Sequence, residues 1–285
     1  MILPAVVILL IYAYVPMLGT VIAFQNYTPA KGFVNSSFVG LENFRYLFSN
    51  PNFTNALKNT VIIAFWKMLT GLVVPLAFSL MLNEIGVSWF KRTSQTIVYL
   101  PYFVSWVLMA GIIVDIFSPT RGIVNSFLGL FGIDPIFFLG DNKWFRFVLI
   151  LTNVWKEFGW GTIIYMASLS AIDPSLYEAA MMDGAGRVRQ TLHVTLPGLM
   201  PTIVLLATLS LGNVLNAGFD QVYNLMSPVT MQSGDIIDTL VYRIGIENGQ
   251  FSVATAAGLF KSAISCLFIV ASYKLADKFA GYKIF

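Results

Sequence analysis

Four ionisable side chains, Lys67, Lys156, Glu157 and Lys261, stand inside long apolar runs. An ionisable group at membrane depth costs about 2.5–3.5 kcal/mol on insertion scales, so each is expected to face a protein interior, a hydrated path or a partner rather than lipid. Asn213, Asn216 and Asp220 are spaced three and four apart, which on a continuous helix puts them on one face. Asn153, Lys156 and Trp160 form a similar stripe with Glu157 beside it. Such stripes either line a water-filled route or hydrogen-bond to a neighbouring helix. Adjacent in sequence, Lys156 and Glu157 diverge around the helix, and pairing with another subunit is open to either. Trp106, Trp155 and Trp160 suit packing, interface anchoring or a flat platform for an apolar ring face.

None of these groupings is a catalytic constellation. One cysteine, Cys266, excludes an intrachain disulfide and a cysteine metal site, and one histidine, His193, argues against a histidine-ligated metal. No glycine-rich stretch ends in Gly-Lys-Ser or Gly-Lys-Thr, so the chain has no phosphate cradle for ATP. The balance of 17 basic to 14 acidic residues gives no reason to expect nucleic acid as a partner.

The elements that must position these residues are membrane helices. With 57% apolar and only 11% charged side chains and a mean hydropathy of +0.75, the chain cannot present a water-compatible surface. Six apolar segments reach the roughly 20 residues that a bilayer core demands: about 2–24, 58–82, 95–117, 145–170, 198–219 and 252–273. The expected fold is therefore all-α, one polytopic domain over 1–285 with both ends on one side. The first run lacks the basic start and cleavage site of a signal peptide, so it reads as a retained span, and the numbering is compatible with native residues before Met1.

Basic residues in loops are evenly split. Lys91, Arg92, Arg187, Arg189, Lys274, Lys278 and Lys283 lie on one side, and Lys31, Arg45, Lys58, Arg121, Lys143, Arg146 and Arg243 on the other. The first set is denser and occupies shorter loops, which places both termini and loop 171–197 in the cytoplasm.

That loop is built as a bracket. Asp173-Pro174 is an N-cap followed by proline at the first helical position, and Glu178, Ala179, Ala180, Met181 and Met182 continue as helix formers. Asp183-Gly184 breaks the helix, and a second segment from Arg187 to Val194 leads to Leu196-Pro197, where the next span is expected to begin. Glu178 and Met182, like Leu176 and Ala180, are four apart, giving a face able to enter a groove on another protein.

The spacing Glu178-Ala179-Ala180, Gly184, nine residues, then Val194, Leu196 and Pro197 resembles the coupling signature of the membrane subunits of bacterial ABC importers. The resemblance implies that Glu178, Ala179, Ala180 and Gly184, with Asp183 in the intervening turn, contact a separate ATPase that binds ATP and Mg, while this chain carries no cofactor. The segment from Phe38 through Asn43-Phe44 to Asn59-Thr60 is similar to carbohydrate permeases. Leu100 to Trp106, Gly122, Asn125, Gly218 to Asn224, Asp235 and Asp238-Thr239 resemble the branch that imports polysaccharide fragments of the alginate or rhamnogalacturonan type.

Membership would imply a second related permease subunit, an ATPase dimer, an extracytoplasmic solute-binding protein and a bacterial cytoplasmic-membrane location. Loops 25–57 and 223–250 would either receive the binding protein or simply cap the spans. Under this reading Asn153, Lys156, Glu157, Trp160, Asn213, Asn216, Asp220, Lys67 and Lys261 are candidates for an oligosaccharide pathway, the lysines offsetting acidic charge. Rival readings are a secondary carrier, a membrane receptor or assembly factor, and an ABC permease for a non-sugar solute. A carrier would show internal repeats and helices interrupted in mid-membrane, neither of which is evident in the sequence.

Overall fold

The computed structural model describes the backbone of residues 2–280 and side chains as far as residue 274. Met1 and Lys283 lie outside the described residues, as does the side chain of Lys278. In chain order the helices are α1 (Leu3–Phe24), α2 (Glu42–Ser49), α3 (Pro51–Asn83), α4 (Ser88–Tyr99), α5 (Trp106–Ile116), α6 (Ile123–Gly129), α7 (Asn142–Leu169), α8 (Pro174–Met182), α9 (Arg187–Gly212), α10 (Phe219–Leu225), α11 (Met231–Gly234), α12 (Ile237–Tyr242) and α13 (Phe251–Ala280). Four of them, α1, α3, α9 and α13, are long and apolar enough to cross a membrane. A fifth candidate is the pair Ser88–Phe103 and Trp106–Ile116, bent by 109°. The all-α expectation is amended by a short ribbon, β1 (Gln25–Asn26) antiparallel to β2 (Ser37–Phe38), which closes the loop after α1.

The scaffold for the interior is the pair α3 and α7, which run against each other. Asn50 caps α3 by accepting from the Asn52 amide at 3.0 Å with Pro51 in the first turn, and Asp141 caps α7 through the Lys143 amide at 2.9 Å. Small residues let the backbones close in. A Cβ on Gly161 would stand 2.8 Å from Pro75 Cγ, and one on Gly159 would stand 2.3 Å from the Val98 carbonyl oxygen. Around this seam Ile63, Met109, Ile113, Phe145, Leu149 and Val222 form one buried core, and Leu47, Phe53, Ile237, Leu240 and Ala257 form another beneath α12 and α13.

Two interruptions depart from the sequence expectation. The run 95–117 is not one helix: a 3-10 turn over Leu100–Phe103 ends α4, Val104 is extended, and Ser105 starts α5 by accepting from the Leu108 amide at 3.4 Å. The run 198–219 stops at Gly212, turns through 213–217 and restarts only after Gly218, whose φ of +87° suits a residue without a Cβ. At its other end α9 begins earlier than expected, because a π turn over Thr191–Thr195 carries the helix unbroken from Arg187 past Pro197.

A broken helix leaves carbonyls without partners, and lipid supplies none. At each break a buried lysine takes that role. Lys156, 5% exposed, donates from Nζ to the Tyr102 carbonyl at 2.7 Å and sits over the rings of Tyr102 and Trp106 at 5.3 and 5.5 Å. Lys67, 8% exposed, donates to the Ala217 carbonyl at 2.6 Å and to Gln221 Oε1. Gln221 in turn donates from Nε2 to the Leu149 carbonyl and Thr152 Oγ1, both at 2.8 Å, tying the restarted chain to α7.

Two stability predictions follow from the seam and the capped breaks. Replacing Gly159 with Val is expected to cost about 1–3 kcal/mol by overpacking, lowering the melting temperature of the detergent-purified protein, whereas Gly111→Ala, in a helix interior with open space around its Cβ position, does not lower it and raises it slightly. Lys67→Met strands the Ala217 carbonyl and Gln221 Oε1, and a loss of about 1–3 kcal/mol is expected in the same measurement. A melting temperature equal to that of the native chain would refute the capping role.

Candidate functional site

Two sites emerge, a bracket at one end of the bundle and a cavity within it. The bracket is α8 with its flanking turns. Asp173 Oδ1 accepts from the Ser175 amide at 2.9 Å, and that bond holds the Asp173 carboxyl below its ordinary range. At the other end the Gly184 amide donates to the Met181 carbonyl at 3.0 Å and the Ala185 amide to the Ala180 carbonyl at 2.9 Å. These are the paired bonds of a Schellman stop, which requires a left-handed residue, and Gly184 supplies it with φ of +74°. The glycine that the signature spacing singles out is therefore the residue that ends the helix.

The bracket is held by its edges and open along its length. Tyr177 Oη and Thr195 Oγ1 share a hydrogen bond of 3.0 Å, and Ile172 fills the space beside Gly198. Arg187 meets Glu84 at 3.0 Å in an exposed ion pair. Glu178, Ala179, Asp183 and Gly184 are exposed and Ala180 is half-buried. Leu176, Met181 and Met182 are exposed apolar side chains, Met182 to 88%.

The cavity, about 640 Å³, lies between α3, α7 and the broken end of α9. It is lined by Lys67, Asn153, Glu157, Trp160, Asn213 and Asn216 together with Trp106, Ser210 and several aliphatic side chains. Six of the nine pathway candidates thus come together here. Trp160, 46% exposed, stacks on Tyr102 with ring centroids 4.8 Å apart and planes 7° from parallel. The other three candidates fall elsewhere. Lys156 does not line the cavity: it diverges around α7 from Glu157 and turns its Nζ into the α4 break, behind the rings of Tyr102 and Trp106. Asp220 is exposed on α10 and does not line the cavity, because the break after Gly212 destroys the helical register that would have aligned it with Asn213 and Asn216. Lys261 lines a neighbouring groove of about 670 Å³, where it is bound to Asp238 at 2.5 Å, and Asn213 and Asn216 border that groove too.

Sequence reasoning gave no role to Tyr102 or Gln221, which it placed only within stretches of family resemblance. Tyr102 follows Pro101, the residue that signals a helix end, and that was the available clue. Nothing local marks Gln221. It also missed the polar clamp at the far end of α3 and α7. There Asn59 donates to the Gln232 and Asp235 carbonyls at 3.1 and 3.0 Å, Arg146 donates to Asn59 Oδ1 at 2.7 Å, and Arg243 binds Asp235 at 2.5 Å.

Residues 68–280 match the family described as binding-protein-dependent transport system inner membrane component. The chain is similar to the polygalacturonan/rhamnogalacturonan transport system permease protein YteP of Bacillus subtilis (strain 168), with 42% identity over 285 residues, covering 100% of this chain and 89% of that protein. It is also similar, at 36% identity and a TM-score of 0.90, to a chain of a bacterial ABC transporter involved in the import of the acidic polysaccharide alginate, over 97% of this chain and 93% of that one. A second structure, of the bacterial alginate ABC transporter in complex with an alginate pentasaccharide-bound periplasmic protein, gives the same identity and TM-score over 97% of this chain and 92% of that one. The chain belongs to the family of binding-protein-dependent transport system inner membrane components, the non-catalytic permease subunits of ABC transporters.

Proposed function

We propose that this permease imports acidic oligosaccharides released from polysaccharides, driven by a separate ATPase that docks on the α8 bracket. The observation that carries the mechanism is the bracket itself. It is a capped helix with a glycine stop, anchored at its edges and exposing Glu178, Met181 and Met182, at the spacing of the coupling signature. A rigid capped helix transmits displacement better than a flexible loop, and a partner's closure can shift the permease only by its difference in affinity for the two states. Glu178, Ala179, Ala180, Asp183 and Gly184 are the proposed ATPase contacts, with ATP and Mg held by the ATPase dimer.

The substrate class is supported by the names of the similar transporters, for polygalacturonan, rhamnogalacturonan and alginate. It is supported also by the cavity, where amides, a carboxyl group and indole rings offer the mixed polar and flat apolar contacts that sugars need. In the proposed arrangement α7 is a further crossing, its polar residues turned toward the cavity, giving six spans with both termini and the bracket in the cytoplasm. A second related permease subunit completes the path, and an extracytoplasmic solute-binding protein delivers the oligosaccharide to the opposite face.

The test is a reconstituted complex of both permease subunits, the ATPase and the binding protein. Binding protein loaded with an acidic oligosaccharide is expected to stimulate ATP hydrolysis, and neutral oligosaccharides to stimulate it less. Gly184→Val forces a β-branched residue into the left-handed region at about 1–2 kcal/mol, and coupling of ATP hydrolysis to uptake is expected to drop about tenfold. Glu178→Lys is expected to weaken co-purification with the ATPase. Full coupling in both variants would sink the docking proposal.

A further inference from the structure

The cavity holds a charge pattern that the substrate class alone does not explain. Its one cation, Lys67, has its Nζ committed to the Ala217 carbonyl and Gln221 Oε1. Lys156 is committed to Tyr102, and Lys261 is paired with Asp238 in the adjoining groove. Glu157, by contrast, lines the cavity with no hydrogen bond and no ion pair within 4 Å among the described residues, Lys156 and Lys67 acting on it only through their charge, and the side-chain amides of Asn153 and Asn213 make no hydrogen bond there either. The polar groups facing this space without a hydrogen bond are therefore a carboxyl, neutral amides and indole N–H groups, not cations.

A carboxyl group is a poor receptor for a uronate carboxylate but a good one for hydroxyls, since its two oxygens match the two donors of a vicinal diol. The stacked indole of Trp160 stands one helical turn along α7 from Glu157, so a sugar ring set against the indole has its hydroxyl edge within reach of that carboxyl. We propose that Glu157 accepts hydrogen bonds from sugar hydroxyls in this cavity, so that this subunit reads the hydroxyl edge of the oligosaccharide and leaves its carboxylates to groups outside this chain. The assignment rests on the cavity being the substrate path.

The experiment uses the complete reconstituted transporter and three ligands: an oligogalacturonate, its carboxyl-reduced counterpart with the same ring hydroxyls, and the O-methylated form of that counterpart. Glu157→Ala is expected to cut uptake of the first two about tenfold, the size of a lost hydrogen bond to a charged group. Uptake of the methylated ligand, which has no hydroxyl donor to lose, stays at the level of the native chain. A change confined to the acidic ligand, or an equal loss on all three, overturns the assignment. If Glu157→Ala does not co-purify with its partners, Glu157→Gln, which keeps the volume, is expected to give the same pattern with a smaller loss. Asn213→Ala and Trp160→Ala separate the role of the cavity from that of Glu157. If they lose uptake while the Glu157 variants do not, the cavity stands and the role of Glu157 falls. If all three positions are silent, the cavity is not the path.

Discussion

The structure depends on one requirement of the bilayer: a peptide carbonyl released from a helix inside apolar surroundings must find a donor in the protein. The chain breaks twice where its apolar runs read as continuous, after Phe103 and after Gly212, and answers each break with a lysine ammonium from another helix. Lysine suits this role because a flexible four-carbon stem delivers three donors to carbonyls whose positions are set by the break, and at Tyr102, just past the end of α4, positive charge is also favoured by the helix C-terminus. The arrangement commits the donors of two cations to the backbone, so their position beside the cavity is a by-product of how the backbone is satisfied.

A second group of charges works on the backbone in the same way. After α10 the chain folds back through α11 and α12 onto the ends of α3 and α7, and the carbonyls of Gln232, Ser233 and Asp235 receive donors from Asn59 and Arg146. Asp235, nearly inaccessible, is matched by Arg243 and by Thr239 Oγ1 at 2.8 Å. A buried ion pair of this kind is weak evidence for stability gained, since desolvation offsets attraction, but removing either partner is costly. Arg146 and Arg243 entered the sequence reading only as loop charges bearing on orientation, and both are tied to the protein rather than free at the surface.

The bracket was the most legible feature because its signals are local: an Asp-Pro start, a run of helix formers and a glycine whose left-handed conformation closes a Schellman stop. The long apolar runs were legible for a similar reason, each being a continuous stretch. The breaks were less so: Pro101 precedes the first and Gly212 and Gly218 flank the second, but Pro75 and Pro201 lie inside unbroken helices, so such residues do not by themselves mark a break, and the helical spacing drawn through Asn213, Asn216 and Asp220 assumed a continuity that the fold denies. The roles of the lysines were beyond reach in principle. The carbonyl that Lys156 serves is 54 residues away and the one that Lys67 serves is 150 away, and no local pattern encodes such partners. α7 shows the reverse case: its polar residues lower its apolarity as a span and at the same time furnish Asn153, Glu157 and Trp160 to the cavity.

The π turn at Thr191–Thr195 has a mechanical consequence. By carrying the helix past Pro197 it makes α9 a single lever of 26 residues, about 39 Å from end to end. One tip adjoins the bracket and the other carries the amides of Asn213 and Asn216 beside the cavity. Were it to tilt as one body by about five degrees at the first tip, the second would move by about 3 Å, and Pro201 is the interior position at which such a lever would first give way.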